Sequence, residues 1–291
     1  MKRWLAFAAV FALVGGALVA SHVRQVPAPV NPRAVLYFIA DTERELGRVV
    51  MTATRLSDED EIAIGNEMAR ENYASNFVRS PDEQAMATYV ERVGTQLAAR
   101  AHRKLPYKFH YIPGGFDNAF ALPGGHIYIG GGLIASMDSE DQLAAVLGHE
   151  LAHADRRHCA ERVQIEARMR KLNLGVIGSL AQIPIQVFQA GYSKTQELEA
   201  DKVGTELAVR AGYSPFGALR LFEKFDAMNR EEASRARSPQ QEVVRVTIST
   251  LSGYFRSHPP AGERMVQLRR MISSNHWESR TQEKPLEIRP K

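Results

Sequence analysis

His149-Glu150-Leu151-Ala152-His153 is the run from which the rest of the chain can be read. On an α-helix, residues four apart lie on one face, one turn from each other, so both imidazoles can reach one metal ion at roughly 2.0–2.1 Å. Glu150 follows the first imidazole by one residue, about 100° further round the axis. Its carboxylate then lies beside the coordination position left for water, where a general base is needed. A shuffled chain of this composition would contain the pattern about two times in a hundred. The flanking sequence therefore has to decide.

The flanks favour a helix. Asp138-Ser139-Glu140-Asp141-Gln142 leads in, with Ser139 and Gln142 at capping-box spacing and acids suited to a helix N-terminus. From Leu143 to Lys171 the only Gly or Pro is Gly148, and a glycine inside a helix costs roughly 1 kcal/mol against Ala. Close packing on a neighbour and clearance near a metal explain that glycine equally well. With nothing to break it, the helix is expected to run on past Cys159. His158 and Cys159 would then lie off the ligand face and serve as structural, packing residues. The longer zinc motif would need Gly at 156 and His at 159, where the chain has Arg156 and Cys159. That layout is excluded.

A zinc site needs a third protein ligand. Ser193-Lys194-Thr195-Gln196 is a second capping-box pattern, opening a helix that runs to Arg210-Ala211 and stops at Gly212. Its first turns carry Glu197-Leu198-Glu199-Ala200-Asp201. Glu197 and Asp201 share a face, while Glu199 points about 200° away. Alone, this reads as a charged helix face. Beside the His149 run it suits Glu197 as a zinc ligand and Asp201 as acceptor of a ligand imidazole's distal N–H. The expected cofactor is one Zn2+ per chain on His149, His153 and Glu197, with Glu150 moving the proton of the attacking water.

Three further motifs stand in order with these: Asn118-Ala119-Phe120-Ala121-Leu122-Pro123-Gly124-Gly125, Arg157-His158, and His258-Pro259 followed by Arg264. Together they resemble the zinc metallopeptidase family of the CAAX prenyl protease, HtpX and BepA, gluzincins with an HExxH…ExxxD pattern. The resemblance covers roughly Leu56 to Ile272. It implies a zincin-like fold, Glu197 as third ligand, and Asp201 behind a ligand histidine. It also implies that Asn118, Ala119 and Phe120 lie beside the substrate and that His258 and Arg264 approach the cleft. In layout the chain is similar to the periplasmic, single-domain members, without the multiple membrane spans or helical-repeat extension of others. For His258 and Arg264 the first expectation is a role in catalysis, donating to the oxyanion as water attacks. His258 could instead occupy the metal's remaining position and hold the enzyme silent, or merely cap the helix junction.

Composition agrees with an enzyme. A chain of 291 residues, 44% hydrophobic and 24% charged, has room for one sizeable core. A net charge of +4, dispersed along the chain, does not argue for a nucleic-acid partner. One cysteine excludes an internal disulfide. Lys2 and Arg3 precede an apolar run from Trp4 to Ala20 that ends in small residues, the layout of a secretory signal. The expectation is export to the periplasm, with a mature chain beginning near Ser21 and some association with the envelope membrane; an uncleaved anchor is the alternative. The predicted organisation is a signal over 1–20, a linker or arm over 21–56, the protease domain over 57–275 and a disordered polar tail over 276–291.

The remaining elements follow from periodicity. Helices are predicted over Asp58–Phe77 and from Pro81 to about Arg100, and strands over Tyr107–Ile112, Ala119–Leu122 and His126–Ile129. His126 is expected to face away from its apolar neighbours as a surface or structural residue. Leu172–Tyr192 carries Gln182, Pro184, Gln186 and Gln189, too polar to enter a membrane. An amphipathic helical lid over the cleft is the expectation there. A helix from Pro215 through Met228, an exposed loop over 229–241 and a final helix through Met271 complete the chain. The whole reads as an α+β, mainly helical zincin-like metalloprotease with a small sheet. It would hydrolyse peptide bonds of unfolded or misassembled envelope proteins, taking an extended polypeptide along the edge near Asn118–Leu122. The rival reading is a chaperone-like binding protein whose lid blocks proteolysis.

Overall fold

Ser80 accepts a hydrogen bond from the Glu83 amide, and the Glu83 carboxylate accepts from the Ser80 amide. This capping box, with Pro81 at the first helical position, starts a helix over Pro81–Ala98 (α2) that buries Met86, Tyr89, Val90, Val93 and Leu97. It follows a helix over Asp58–Asn72 (α1). The computed structural model describes residues 55–72, 78–235, 254, 257–258 and 262–290. The chain divides into Met1–Leu46 and Gly47–Lys291, and all described residues belong to the second unit. The expected signal and most of the linker lie outside the described residues, as do Pro259 and Pro260 and residues 73–77 of the predicted first helix.

Three strands follow: β1 (Lys108–Ile112), β2 (Ala119–Leu122) and β3 (His126–Gly130), in the order β1-β3-β2. β1 runs parallel to β3, while β2 returns antiparallel with Phe120 opposite Tyr128. The turn between β2 and β3 needs Gly124, at φ 73° with α1 backbone close by: a Cβ there would lie 2.7 Å from Ile62 Cα. His126 is buried on β3, its Nε2 3.0 Å from Asn66 Oδ1 and its Nδ1 3.1 Å from His110 Nε2. It is thus a structural histidine and not a surface one.

A short helix, α3 (Gly131–Ala135), leads to α4 (Glu140–Asp155), started by the Ser139 side chain accepting from the Gln142 amide. Nearly every residue of α4 is buried, because α2, the sheet, α8 (Lys194–Arg210) and α9 (Phe216–Arg235) surround it. Gly148 sits where α4 crosses α8. A Cβ on Gly148 would lie 2.8 Å from the Gly204 carbonyl oxygen, and one on Gly204 would lie 2.7 Å from the Gly148 carbonyl carbon. Close packing explains Gly148. The paired glycines bring the α4 and α8 backbones together, and with them His149 and the Glu197–Asp201 turn.

Four expectations are corrected. The histidine helix does not continue past Cys159: Arg157 takes a left-handed conformation (φ 68°), and a new helix, α5 (His158–Met169), starts from it. Residues 172–192 form two short helices, α6 (Ile177–Ala181) and α7 (Gln186–Gln189), in place of one amphipathic lid. Leu180, Ile183, Phe188 and Tyr192 there are buried in the main core. α9 continues through Arg235, so the first part of the predicted exposed loop is helical, and residues 236–241 lie outside the described residues. The final helix, α10, spans Gly262–Ser274. Beyond it the polar tail is ordered: Lys284 accepts from the Glu140 amide at 2.8 Å, Pro285 bridges Ser139, and Leu286 and Ile288 pack on the core. The tail thus satisfies one of α4's N-terminal amides, that of Glu140, while the Ser139 side chain takes that of Gln142.

Candidate active site

α4 presents His149 and His153 on one face, α8 presents Glu197 and Asp201, and His258 arrives from the segment before α10. The four groups His149, His153, Glu197 and His258 are buried, with one donor atom from each lying within 4.8 Å of all the others. His149 Nε2 is 3.0 Å from His153 Nε2, 3.2 Å from His258 Nδ1 and 3.4 Å from Glu197 Oε2. His153 Nε2 is 3.7 Å from Glu197 Oε1, and His258 Nδ1 is 3.0 Å from both Glu197 oxygens. Ligands 2.0–2.1 Å from a tetrahedral ion are about 3.3 Å from one another. The donor set therefore fits zinc. The charge balance points the same way. Burial disfavours a charged His149, yet its contacts with Asp201 and Glu197 raise its pKa to about 9. Burial likewise opposes ionisation of Glu197, but His258, His149 and Arg264 hold it well below the usual carboxylate range.

The outer contacts are specific. His149 Nδ1 lies 3.0 Å from Asp201 Oδ1, and Arg264 grips Asp201 through Nε and Nη2, each at 2.6 Å. Arg264 Nη1 also donates to the His258 carbonyl at 3.0 Å and lies 3.2 Å from Glu197 Oε2, while the guanidinium sits over the Phe222 ring. Asp201 is lowered: burial works against its charge, and Arg264 and His149 overcome it.

Glu150 follows His149 on α4 and meets the donor cluster at His258. It is fully buried, and neither carboxylate oxygen has a hydrogen-bond partner among the described residues. His258 Nε2 is 3.5 Å away, also without a hydrogen bond. Burial pushes the Glu150 carboxyl up, against the pull of His258 and His149. A buried carboxylate without a hydrogen bond is costly, and among the described residues this one has only the 3.5 Å ion-pair contact with His258 to offset its burial.

Asn118, Ala119 and Phe120 stand at the outer edge of the sheet, where, among the described residues, β2 pairs only with β3. Gly130 donates to the Asn118 carbonyl. By antiparallel alternation, Phe120 and Leu122 also face β3, and Ala119 and Ala121 turn their polar groups outward. That outer edge is covered. Ala119–Leu122 are fully buried, α7 lies against β2, Tyr254 donates to the Asp117 carbonyl and Ser257 Oγ donates to Asn118 Oδ1.

Three neighbours escaped the sequence reading. Tyr192 stacks on His153 at 3.9 Å, Tyr254 stacks on His258 at 4.7 Å, and His158 approaches His153 to 2.9 Å between Nδ1 atoms. Lone tyrosines in apolar stretches carry no spacing signal. His158 was visible in the Arg157-His158 pair but was assigned to the wrong face. Cys159 is buried, as a packing residue should be, with Sγ 3.3 Å from the Tyr192 hydroxyl.

A mainly helical zincin-like fold, with an HExxH helix crossed by an acidic helix that completes a metal-donor cluster, defines a metallopeptidase class. The profile of Peptidase family M48 matches residues 84–272, more than half of the chain, and the protein belongs to that family. It is 29% identical over 194 residues to the beta-barrel assembly-enhancing protease of Yersinia pestis, an alignment covering 60% of this chain and 39% of that protein. The Escherichia coli K12 protein of the same name is 28% identical over 185 residues, covering 56% and 38%. The mitochondrial metalloendopeptidase OMA1 of Schizosaccharomyces pombe is 32% identical over 155 residues, covering 50% and 46%. The chain thus matches less than half the length of each of these relatives.

Proposed function

We propose that this protein is a zinc-dependent endopeptidase that cuts unfolded or misassembled polypeptides of the cell envelope. The observation that carries the reading is the convergence of His149, His153 and Glu197 in a buried cluster, with the Glu150 carboxylate, which has no hydrogen bond among the described residues, next in sequence to His149. Zinc bound by those three residues would supply a Lewis acid that acidifies water and polarises the scissile carbonyl. Glu150 would take the proton of the attacking water and deliver it to the leaving amine. Its upward-shifted pKa suits a group that must hold that proton between the two steps. Asp201, clamped by Arg264, would keep the His149 proton on Nδ1 and its lone pair on Nε2. Arg264 is committed to Asp201, Glu197 and the His258 carbonyl, which favours a positioning role over direct donation to an oxyanion.

His258 invites a second reading of its own role. Its Nδ1 stands among the donor atoms, and its segment covers β2. That favours His258 as a fourth ligand that keeps the site silent until the segment moves and Asn118, Ala119 and Phe120 can pair with an extended substrate. The envelope assignment draws on the beta-barrel assembly-enhancing relatives, whereas the mitochondrial relatives support the endopeptidase chemistry without fixing a compartment. Among the described residues no helix is long and apolar enough to cross a membrane. Export to the periplasm, with cleavage near Ala20, is tested by sequencing the N-terminus of the mature protein. The function itself is tested with an unfolded substrate and the pair wild type and Glu150→Gln. Cleavage lost in Glu150→Gln with zinc retained supports the peptidase. Equal suppression of aggregation by both, without cleavage by either, would support the chaperone-like reading instead.

A further inference from the structure

His158 lies five residues after His153, about 140° round an unbroken helix. The break at Arg157 turns it back, so that its Nδ1 comes to 2.9 Å from His153 Nδ1, with both rings fully buried. A left-handed conformation costs a non-glycine residue roughly 1–2 kcal/mol. Arg157 is held there by its guanidinium, which binds Asp58 Oδ1 at 2.5 Å and the Leu56 carbonyl and lies 3.7 Å from Glu61. On its far side, His158 Nε2 is 3.3 Å from Glu199 Oε2, and Glu199 Oε1 accepts from Arg156 Nε at 2.7 Å.

The donor inventory sets the direction of this chain. An ionised carboxylate only accepts, so His158 Nε2 carries the hydrogen that meets Glu199. A neutral His158 then offers a lone pair at Nδ1, which takes the Nδ1 hydrogen of His153. The His153 lone pair is left on Nε2, the atom that lies 3.0 Å from His149 Nε2 and faces Glu197. His149 reaches the same state by a direct bond to Asp201. One turn of α8 thus serves both histidines, with Asp201 acting directly and Glu199 acting through His158.

We propose that His158 and Glu199 are positioning residues that fix the tautomer and orientation of His153 for metal binding. The inference rests on the zinc-site reading above. Its test is the zinc affinity of the metal-stripped full chain, measured by competition with a chromogenic chelator, alongside the thermal midpoint of each metal-free variant. Glu199→Gln is the informative variant, because Glu199 is 31% exposed and the change preserves its shape. Arg156 claims the amide oxygen, so the amide NH2 faces His158 Nε2 and reverses the chain. Zinc affinity should fall roughly tenfold or more, within the range usual for lost outer partners of a ligand. Adding Arg156→Ala frees the amide oxygen to turn towards His158 and should recover part of the loss. His158→Ala should weaken zinc about 10–100-fold, and Glu199→Gln should then add almost nothing. Wild-type affinity in Glu199→Gln, or additive losses in the double variant, would overturn the proposal. A wild type that binds no zinc at all would instead overturn the metal-site reading beneath it.

Discussion

His258 is the residue whose role most changes how the enzyme would behave. Its Nδ1 lies as close to Glu197 as a fellow ligand would, and Tyr254 stacks on its ring. If it keeps the site silent, His258→Ala should raise turnover of an unfolded substrate while zinc content holds. A fall of about 10²–10³ in turnover would instead mark it as an oxyanion donor. Asp201→Ala should leave the fold intact and weaken zinc affinity or turnover roughly 10–100-fold, read by chelator competition and initial rates. Unchanged values in that variant would return Asp201 to a plain ion pair with Arg264.

Among elements, the crossing of α4 and α8 does most to assemble the site, and it depends on two glycines. Gly148→Ala places a methyl 2.8 Å from the Gly204 carbonyl oxygen, backbone that cannot swing aside. Overpacking of this kind costs about 1–3 kcal/mol, and here it should also push Glu197 away from His149. The expected outcome is a lower unfolding midpoint together with weakened zinc binding. A stabilised Gly148→Ala protein, gaining helix propensity alone, would contradict the packing account. The elements that capping boxes and turn residues announce, such as α2, α8 and the Pro123–Gly125 turn, were legible in the sequence because their signals are local. The α4–α5 break was not. Its left-handed residue is an arginine, and its anchors Leu56, Asp58 and Glu61 lie about a hundred positions earlier in the chain. The two short helices over 172–192 were misread for a related reason: their apolar residues fill the core, so polarity along the chain did not report which face is buried.

At the scale of the whole molecule, acid stability should reflect the stacked His110–His126 pair between β1 and β3. Burial lowers both pKa values to about 4, from the ordinary 6.5. The unfolded chain takes up these protons first as pH falls. Their contribution is therefore complete above pH 6.5 and is lost progressively towards pH 4, at most about 1.4 kcal/mol per pH unit for each histidine. Urea midpoints at pH 7 and pH 5 should differ less in His110→Phe than in the wild type, and an equal difference would show that the pair does not titrate as described. The grouping of His149, His153 and Glu197 as a candidate donor set was legible because spacing on two helices encodes it. The covered edge of β2 was not, since nothing near Asn118 indicates that the segment carrying Ser257 and His258 lies across it. The most direct measurement of the central claim is zinc content per chain in purified full-length protein. One zinc in the wild type and in Glu150→Gln, with little in Glu197→Ala and more retained in Glu199→Ala, which loses an outer partner and not a proposed ligand, is the predicted result. No zinc in the wild type, or equal retention by Glu197→Ala and Glu199→Ala, would contradict it.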